Sequence, residues 1–306
     1  MNKILSQKIK EFVSKPIFEE SILSGRDSSY PRITVVTPSY NQAEFIERTI
    51  LSVLNQNYPN LEYIIIDGGS TDGTIDRIKK YEKYLSYWVS NPDRGQSAAI
   101  NKGFSMATGE LVGAQNSDDI YMPGAFEKVS QEYRKNQNSD IYCGNILTVD
   151  NNDNVLDMYK LPPFDFFANL FEGSQAVSQT LFFNRTVFSR IGFLRTDYVF
   201  SFDYEYLCRL GFSGFKFKDI NHFIGCLRLH KKTKSYNIAD IGKKEHNRTR
   251  DYYMGLAGYK CPLGLGYLWC RFRKFMIYLQ KMEFDYLFYK IGTKIKKLKI
   301  RKTRTL

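Results

Sequence analysis

Two adjacent carboxylates, Asp118 and Asp119, close the stretch Gln115-Asn116-Ser117-Asp118-Asp119, which follows the apolar run Leu111-Val112-Gly113-Ala114. The run reads as a buried strand and the acids as its C-terminal end. At the carboxyl edge of an open α/β sheet, where ligands bind, such a pair can hold a hard divalent cation that also meets phosphate oxygens. Ser-Asp-Asp is equally ordinary chemistry for a solvated turn. A second strand-end cluster, Asp67-Gly68-Gly69-Ser70-Thr71-Asp72-Gly73-Thr74, follows Glu62-Tyr63-Ile64-Ile65-Ile66. It lacks the Lys of a P-loop and the spacing of a dinucleotide fingerprint, so it points to neither an ATPase nor a NAD enzyme.

The elements that must position these groups are legible from hydrophobic period. Residues 1–30 read as a short amphipathic helix and a polar linker. Ile33-Thr34-Val35-Val36-Thr37 is a β-branched strand ended by Pro38-Ser39-Tyr40-Asn41, and Asn41 with Glu44 has the form of a capping box before a helix. Strand, loop and helix repeat through Glu62–Leu85, Trp88–Thr108 and the run to Gln115. Four such units imply a largely parallel sheet with right-handed connections. Beyond Asp119 the sequence suggests a helix at Pro123–Lys135, a strand at Ile141-Tyr142-Cys143, hairpin-like turn material at Asn151–Asn154, and an irregular aromatic segment from Leu161 to Phe171. A strand at Thr180–Phe183 and helices at Thr186–Ile191 and Asp203–Leu210 follow.

The chain has 306 residues and a net charge of +12, and the charge is unevenly placed. Arg271–Leu306 carries 12 Lys and Arg against two acids, whereas residues 31–270 carry a net charge of only +1. The near-neutral core speaks against a nucleic-acid-binding module, and no nucleic acid is expected as a partner. Five cysteines without CxxC spacing fit reduced thiols rather than a disulfide framework. Neither a signal peptide nor a spanning helix is visible, so a cytoplasmic location is expected.

Taken in order, Val35-Val36-Thr37-Pro38-Ser39-Tyr40-Asn41, Ile66–Thr74, Asp93-Arg94-Gly95-Gln96 with Ala99-Ile100-Asn101-Lys102-Gly103, Asn116–Asp119 and Phe202-Asp203-Tyr204-Glu205 resemble the motifs of the family 2 glycosyltransferases of the GT-A fold. The resemblance covers roughly residues 31–235. It implies a mostly parallel α/β sheet with helices on both faces, a nucleotide-sugar-binding half at 31–120 and an acceptor-binding half at 121–235; residues 236–306, outside it, read on their own composition as a basic helical extension. Thr37, Pro38 and Tyr40 match the loop on the nucleobase and ribose, Asp67 the first acidic nucleotide contact, and Arg94 a position near the diphosphate. Many members carry two consecutive acids where this chain has Asp67-Gly68, and the loss favours UDP over GDP or dTDP.

By the same resemblance, Asp119 is expected to coordinate Mn or Mg directly, Asp118 to meet the ribose or the metal shell, and His230 to complete that shell or meet the diphosphate. Asn116 stands where a first acid is common. Arg228, Lys232 or Lys234 would add positive charge, and Gln179 would face the acceptor cavity. Asp203 matches the catalytic base of inverting members, with Glu205 the fallback. A carboxylate within reach of a sugar hydroxyl is what such an attack requires.

Outside the resemblance, aromatic residues between Tyr267 and Leu279 interleave with Arg271, Arg273 and Lys274 ahead of a basic end. This suits an interfacial seat on an anionic membrane, placing the enzyme peripherally on the cytoplasmic face near a polyprenyl-linked or other glycan acceptor. Competing readings are a glycoside hydrolase with paired carboxylates, an inactive scaffold of a glycan assembly complex, and a basic nucleic-acid-binding protein.

Overall fold

The computed structural model describes residues 2–230 and 238–303, with side chains described through Thr293. Two compact units are present, Met1–Tyr259 and Lys260–Leu306. In chain order the first contains helices α1 (Asn2–Ser14) and α2 (Glu20–Gly25), strand β1 (Ile33–Ser39), α3 (Ile46–Leu54), β2 (Leu61–Asp67), α4 (Thr74–Lys79), β3 (Tyr87–Ser90), α5 (Gln96–Met106), β4 (Leu111–Ala114) and β5 (Ile120–Tyr121). It continues with α6 (Ala125–Lys135), β6 (Ile141–Val149), β7 (Val155–Tyr159), α7 (Phe166–Glu172), β8 (Leu181–Asn184), α8 (Thr186–Ile191), α9 (Phe202–Phe212), β9 (Phe217–Arg228) and α10 (Ala239–Leu256). The expected boundary at residue 236 therefore moves to 259, because α10 belongs with the sheet unit.

The strands form one sheet in the order β3-β2-β1-β4-β8-β6-β9-β5, with β7 paired to β6. Pairing is parallel from β3 to β4, as the strand–helix alternation implies. Beyond β4 it is mixed, because β8 runs antiparallel to both β4 and β6 while β6 and β9 are parallel. Alternate residues of β1 serve opposite layers. Ile33 and Val35 pack with Ile50, Val53 and Leu54 of α3, and Val36 packs with Ile100 and Phe104 of α5. Both faces are thus covered, which is why the strand sequences are continuously apolar. A Cβ on Gly103 would overlap the Val36 side chain, so glycine lets α5 lie close against β1.

The capping box expected at Asn41 and Glu44 does not form. Helix α3 starts only at Ile46; Asn41 takes a left-handed backbone (φ 51°) and its Oδ1 accepts the Thr71 N–H at 2.9 Å. The side chain that could cap a helix instead joins two loops at the carboxyl edge of the sheet.

The second unit holds helices α11 (Leu263–Gln280) and α12 (Phe284–Thr303), joined by a turn in which Met282 has φ 54° and Tyr278 meets Tyr286 edge-on at 5.2 Å. Among the described residues no helix is long and apolar enough to cross a membrane.

Candidate active site

The loops after β1 and β2 are closed by their own hydrogen bonds. Ser70 Oγ accepts the Asn41 N–H at 2.7 Å, Thr74 Oγ1 that of Gln42 at 2.8 Å, and Asp72 that of Ala43 at 3.0 Å. Asp67 is fully buried: Oδ2 accepts from the N–H groups of Gly69 (3.1 Å) and Ser70 (2.8 Å) and from Ser90 Oγ (2.6 Å), and Oδ1 from Ser70 Oγ (2.5 Å). It organises the loop, and the direct nucleotide contact expected of it would have to come through Oδ1. Thr37 is likewise in the core, with its hydroxyl 3.1 Å from the Tyr63 hydroxyl, and Pro38 is buried. Of the three residues expected on the nucleobase, Tyr40 alone stands out, 63% exposed. Arg94 is also exposed and makes no ion pair with the described residues. Ser39 Oγ and both polar atoms of the Gln115 side chain are buried at this edge without a hydrogen-bond partner, which fits an edge built to receive a polar ligand.

The Asp118–Asp119 loop is pinned from three sides. Thr49 on α3 donates to the Asp119 carbonyl at 2.7 Å, Ser52 accepts the Tyr121 N–H at 3.1 Å, and Gln56 donates to the Met122 carbonyl at 2.9 Å. Thr49 and Ser52 share one face of α3 at a spacing of three, and Gln56 follows just past its C-terminus. From β9, Arg228 donates its backbone N–H to Asp119 Oδ1 at 2.7 Å and its Nε to the Asp118 carbonyl at 2.7 Å. Its guanidinium is completely buried against Asp153 (2.6 Å), which also meets Arg48 at 2.8 Å. Arg228 therefore holds the loop rather than lending charge to a ligand. Lys232 and Lys234 lie outside the described residues.

The two acids differ sharply. Asp119 is 1% exposed; its Oδ2 accepts from Gln179 at 2.6 Å and Asn116 at 3.0 Å. Gln179 thus spends its amide on Asp119 instead of facing an acceptor cavity. Asn116 also accepts from Gln96 at 2.7 Å, so its amide bridges the first residue of α5 to the buried acid; an acid at 116 would have no proton to donate and would repel. Burial, and after it the neighbouring Asp118 carboxylate, push the Asp119 carboxyl up to about 8. Asp118, half-buried, sits at the rim with Oδ2 3.0 Å from His230 Nε2. The His230 ring packs on Phe45 at 4.6 Å between centroids. A carboxylate oxygen and an imidazole nitrogen at this separation, backed by a buried acid that a cation would keep ionised, fit Mn or Mg. Among the described residues no three acidic, histidine or cysteine side chains form a closed cage, so other positions of the shell would fall to phosphate oxygens.

Helix α9 carries Asp203 and Glu205, which point different ways because two residues span about 200° of a helix. Asp203 is half-buried and accepts the Tyr204 N–H at 2.7 Å. Glu205 is 3% exposed, paired with Arg209 at 3.1 Å and with the Tyr253 hydroxyl of α10 at 3.3 Å. It is a core ion pair, which removes it as a fallback base or acceptor contact. Sequence reasoning missed the roles of Gln96 and Asn116 although both lie in stretches that carry the resemblance; the burial of Arg228 left no local signal.

A family model described as "Glycosyl transferase family 2" matches residues 34–193 of the 306. The chain belongs to the family 2 glycosyltransferases. This glycosyltransferase is 27% identical over 278 residues to the chondroitin synthase of Escherichia coli, which covers 84% of the chain and 37% of that protein. It is 31% identical over 131 residues to the uncharacterized glycosyltransferase alr2836 of Nostoc, 41% of this chain and 40% of the relative. The glycosyltransferase spans about two fifths of the length of such curated relatives. Among solved structures, Staphylococcus aureus TarS in complex with UDP-GlcNAc aligns with a TM-score of 0.57 at 15% identity, over 77% of this chain and 69% of that one. A mannosyltransferase of Pyrobaculum calidifontis in complex with GDP-Man and Mn2+ aligns with a TM-score of 0.57 at 19% identity, over 88% and 76%. The fold of the glycosyltransferase is the GT-A fold these structures share. Asp203 and His230 lie beyond the matched segment.

Proposed function

We propose that this glycosyltransferase is an inverting enzyme that moves a sugar from a UDP-sugar to a hydroxyl of a glycan or lipid-linked acceptor in cell-surface polysaccharide synthesis. The observation that carries the reading is the pair of half-buried Asp118 and buried His230, 3.0 Å apart, with Asp118 on a loop locked by α3, Gln179 and Arg228. The likeness to chondroitin synthase and to TarS bound to UDP-GlcNAc supports the polymer and the nucleotide. Tyr40 stacks on the base, and Arg94 meets the diphosphate. Asp118, His230 and the remaining lone pair of Asp119 Oδ1 would hold Mn or Mg, which when bound supplies neutralising charge for the departing nucleoside diphosphate. Asp203 takes the proton of the acceptor hydroxyl as its oxygen bonds to the anomeric carbon. The bond from that carbon to the diphosphate oxygen breaks on the opposite face, its electron pair leaves with the nucleoside diphosphate, and configuration inverts.

The α11 helix supports a membrane seat. Leu268 is 62% exposed, Trp269 54% and Phe272 55%, beside Arg271, Arg273 and Lys274, a pairing of apolar and basic side chains suited to anionic lipid. The basic run from Lys294 lies beyond the described side chains. Flotation with phosphatidylglycerol vesicles at moderate salt should lose the protein when Arg271–Leu306 is removed; unchanged flotation refutes the seat.

The test of the reaction is release of nucleoside diphosphate from a panel of UDP-, GDP- and dTDP-sugars with Mn and a panel of glycan acceptors. Release from a UDP-sugar that falls about 10²- to 10⁴-fold in Asp203→Asn is expected. Full release by that variant, or none by wild type with any donor, overturns the reading.

A further inference from the structure

The loop that delivers Asp203 has no side-chain cap of its own. Ser201 stands at the N-cap of α9, but its hydroxyl donates to the Gly242 carbonyl on α10 at 3.1 Å. The preceding N–H groups are taken up by one side chain from the same helix. Glu245 Oε1 accepts from Val199 at 2.8 Å, and Oε2 accepts from Phe200 at 2.9 Å and Ser201 at 2.8 Å. A single carboxylate therefore fixes three consecutive peptide units two residues before Asp203.

Other contacts between α10 and this stretch agree. A Cβ on Gly242 would overlap the Phe200 ring, so the helix backbone lies directly on the loop. His246 stacks on Tyr204 at 3.7 Å, Thr249 donates to the Tyr198 hydroxyl at 2.9 Å, and Arg248 pairs with Asp197 at 3.2 Å. Contacts thus flank Asp203 on both sides, at Ser201 and at Tyr204, and they come from a helix beyond the segment matched by the family model.

We propose that Glu245 is a positioning residue for transfer: by gripping the 199–201 backbone it presents Asp203 to the acceptor hydroxyl at a fixed place. This rests on Asp203 being the base. Charge is part of the device, since hydrogen bonds to an ionised acceptor are about twice as strong as neutral ones. Glu245→Gln keeps the length but turns an NH2 group toward N–H donors, so part of the grip becomes repulsive. A base displaced by about 1 Å loses on the order of 10²-fold in rate.

The experiment compares Glu245→Gln, Glu245→Asp and Asp203→Asn in full-length protein by amide hydrogen exchange and by nucleoside diphosphate release from the donor panel above. Glu245→Gln is expected to speed exchange at 199–204 while leaving the β1–β4 strands protected, and to lower kcat about 10- to 100-fold with donor KM unchanged. Glu245→Asp, which keeps the charge, is expected to recover part of kcat. Unchanged exchange at 199–204, or a kcat within about twofold of wild type while Asp203→Asn is inactive, overturns the proposal and leaves the base assignment standing. Full activity of Asp203→Asn, or no release by wild type, removes the base reading and the proposal with it.

Discussion

At the end of β2, Asp67 is enclosed by hydrogen bonds from its own loop and from Ser90 of the adjoining strand. At the start of α9, Asp203 stays half-buried while the peptides before it are held by Glu245, 42 residues further along the chain than Asp203. Asp67 is thus fixed by its own loop and the adjoining strand, whereas the segment before Asp203 borrows a helix from beyond the family match. At Asp67 preorganisation is written into a loop motif. At Asp203 it depends on a long-range contact from a helix that another chain of this family could place differently.

The sharpest way to break this comparison is the pair of acids on α9. Asp203→Asn is expected to lower kcat by about 10²- to 10⁴-fold with little change in thermal midpoint, whereas Glu205→Gln should act through stability by leaving Arg209 without its buried partner. Urea unfolding read beside initial rates separates the two; equal effects of both variants on rate would contradict the assignment. Arg228→Met is next. Removing one member of a buried pair typically costs about 3–5 kcal/mol, and here it also leaves Asp153 with Arg48 as its remaining ion-pair partner among the described residues. An unfolding midpoint unchanged by this variant would show that the Asp118–Asp119 loop does not need the guanidinium. Gly103→Ala should cost about 1–3 kcal/mol through overpacking against Val36, while Gly68→Ala meets only the flexible Asp93 carboxylate at 3.0 Å and should cost less.

The smallest expected effect is a pH dependence. Burial, and after it Arg250, hold the His246 pKa below its ordinary value of 6.5. The unfolded chain then binds this proton at a higher pH than the folded one, so stability is full above about pH 6.5 and falls as pH drops below it. His246→Phe, which keeps a ring on Tyr204, should flatten the stability profile below about pH 6.5. An unaltered slope would remove His246 from that account.

Much of the donor half was legible in the sequence. β-branched runs gave β1 and β2, glycine-rich acids marked their ends, and apolar period gave α3 and α5, because these elements are fixed by neighbours in sequence and buried on both faces. The acids at 118 and 119 could be named, but not their division of labour. Asp119 is buried because Arg228 and Gln179 converge on it from two distant segments and Asn116 closes on it within its own loop. Strand β9 escaped for the same reason: Phe217–Arg228 mixes polar and apolar residues, and its pairing with β6 and β5 is set by distant segments. Arg228 sits in a lysine-rich stretch that reads as surface, yet Asp153 on the β6–β7 turn draws it inside. Glu245 is one acid among the charges of an unremarkable helix, and only the fold turns it toward the 199–201 backbone.

The central claim, a metal-assisted nucleotide site at Asp118 and His230, is tested most directly by thermal unfolding with UDP, GDP and dTDP, each with and without Mn, on wild type and Asp118→Asn. UDP at a hundred times its dissociation constant should add about 2.7 kcal/mol, and the gain should require both Mn and Asp118. Stabilisation by no nucleotide at millimolar concentration, or an equal gain without Mn and in Asp118→Asn, would contradict it.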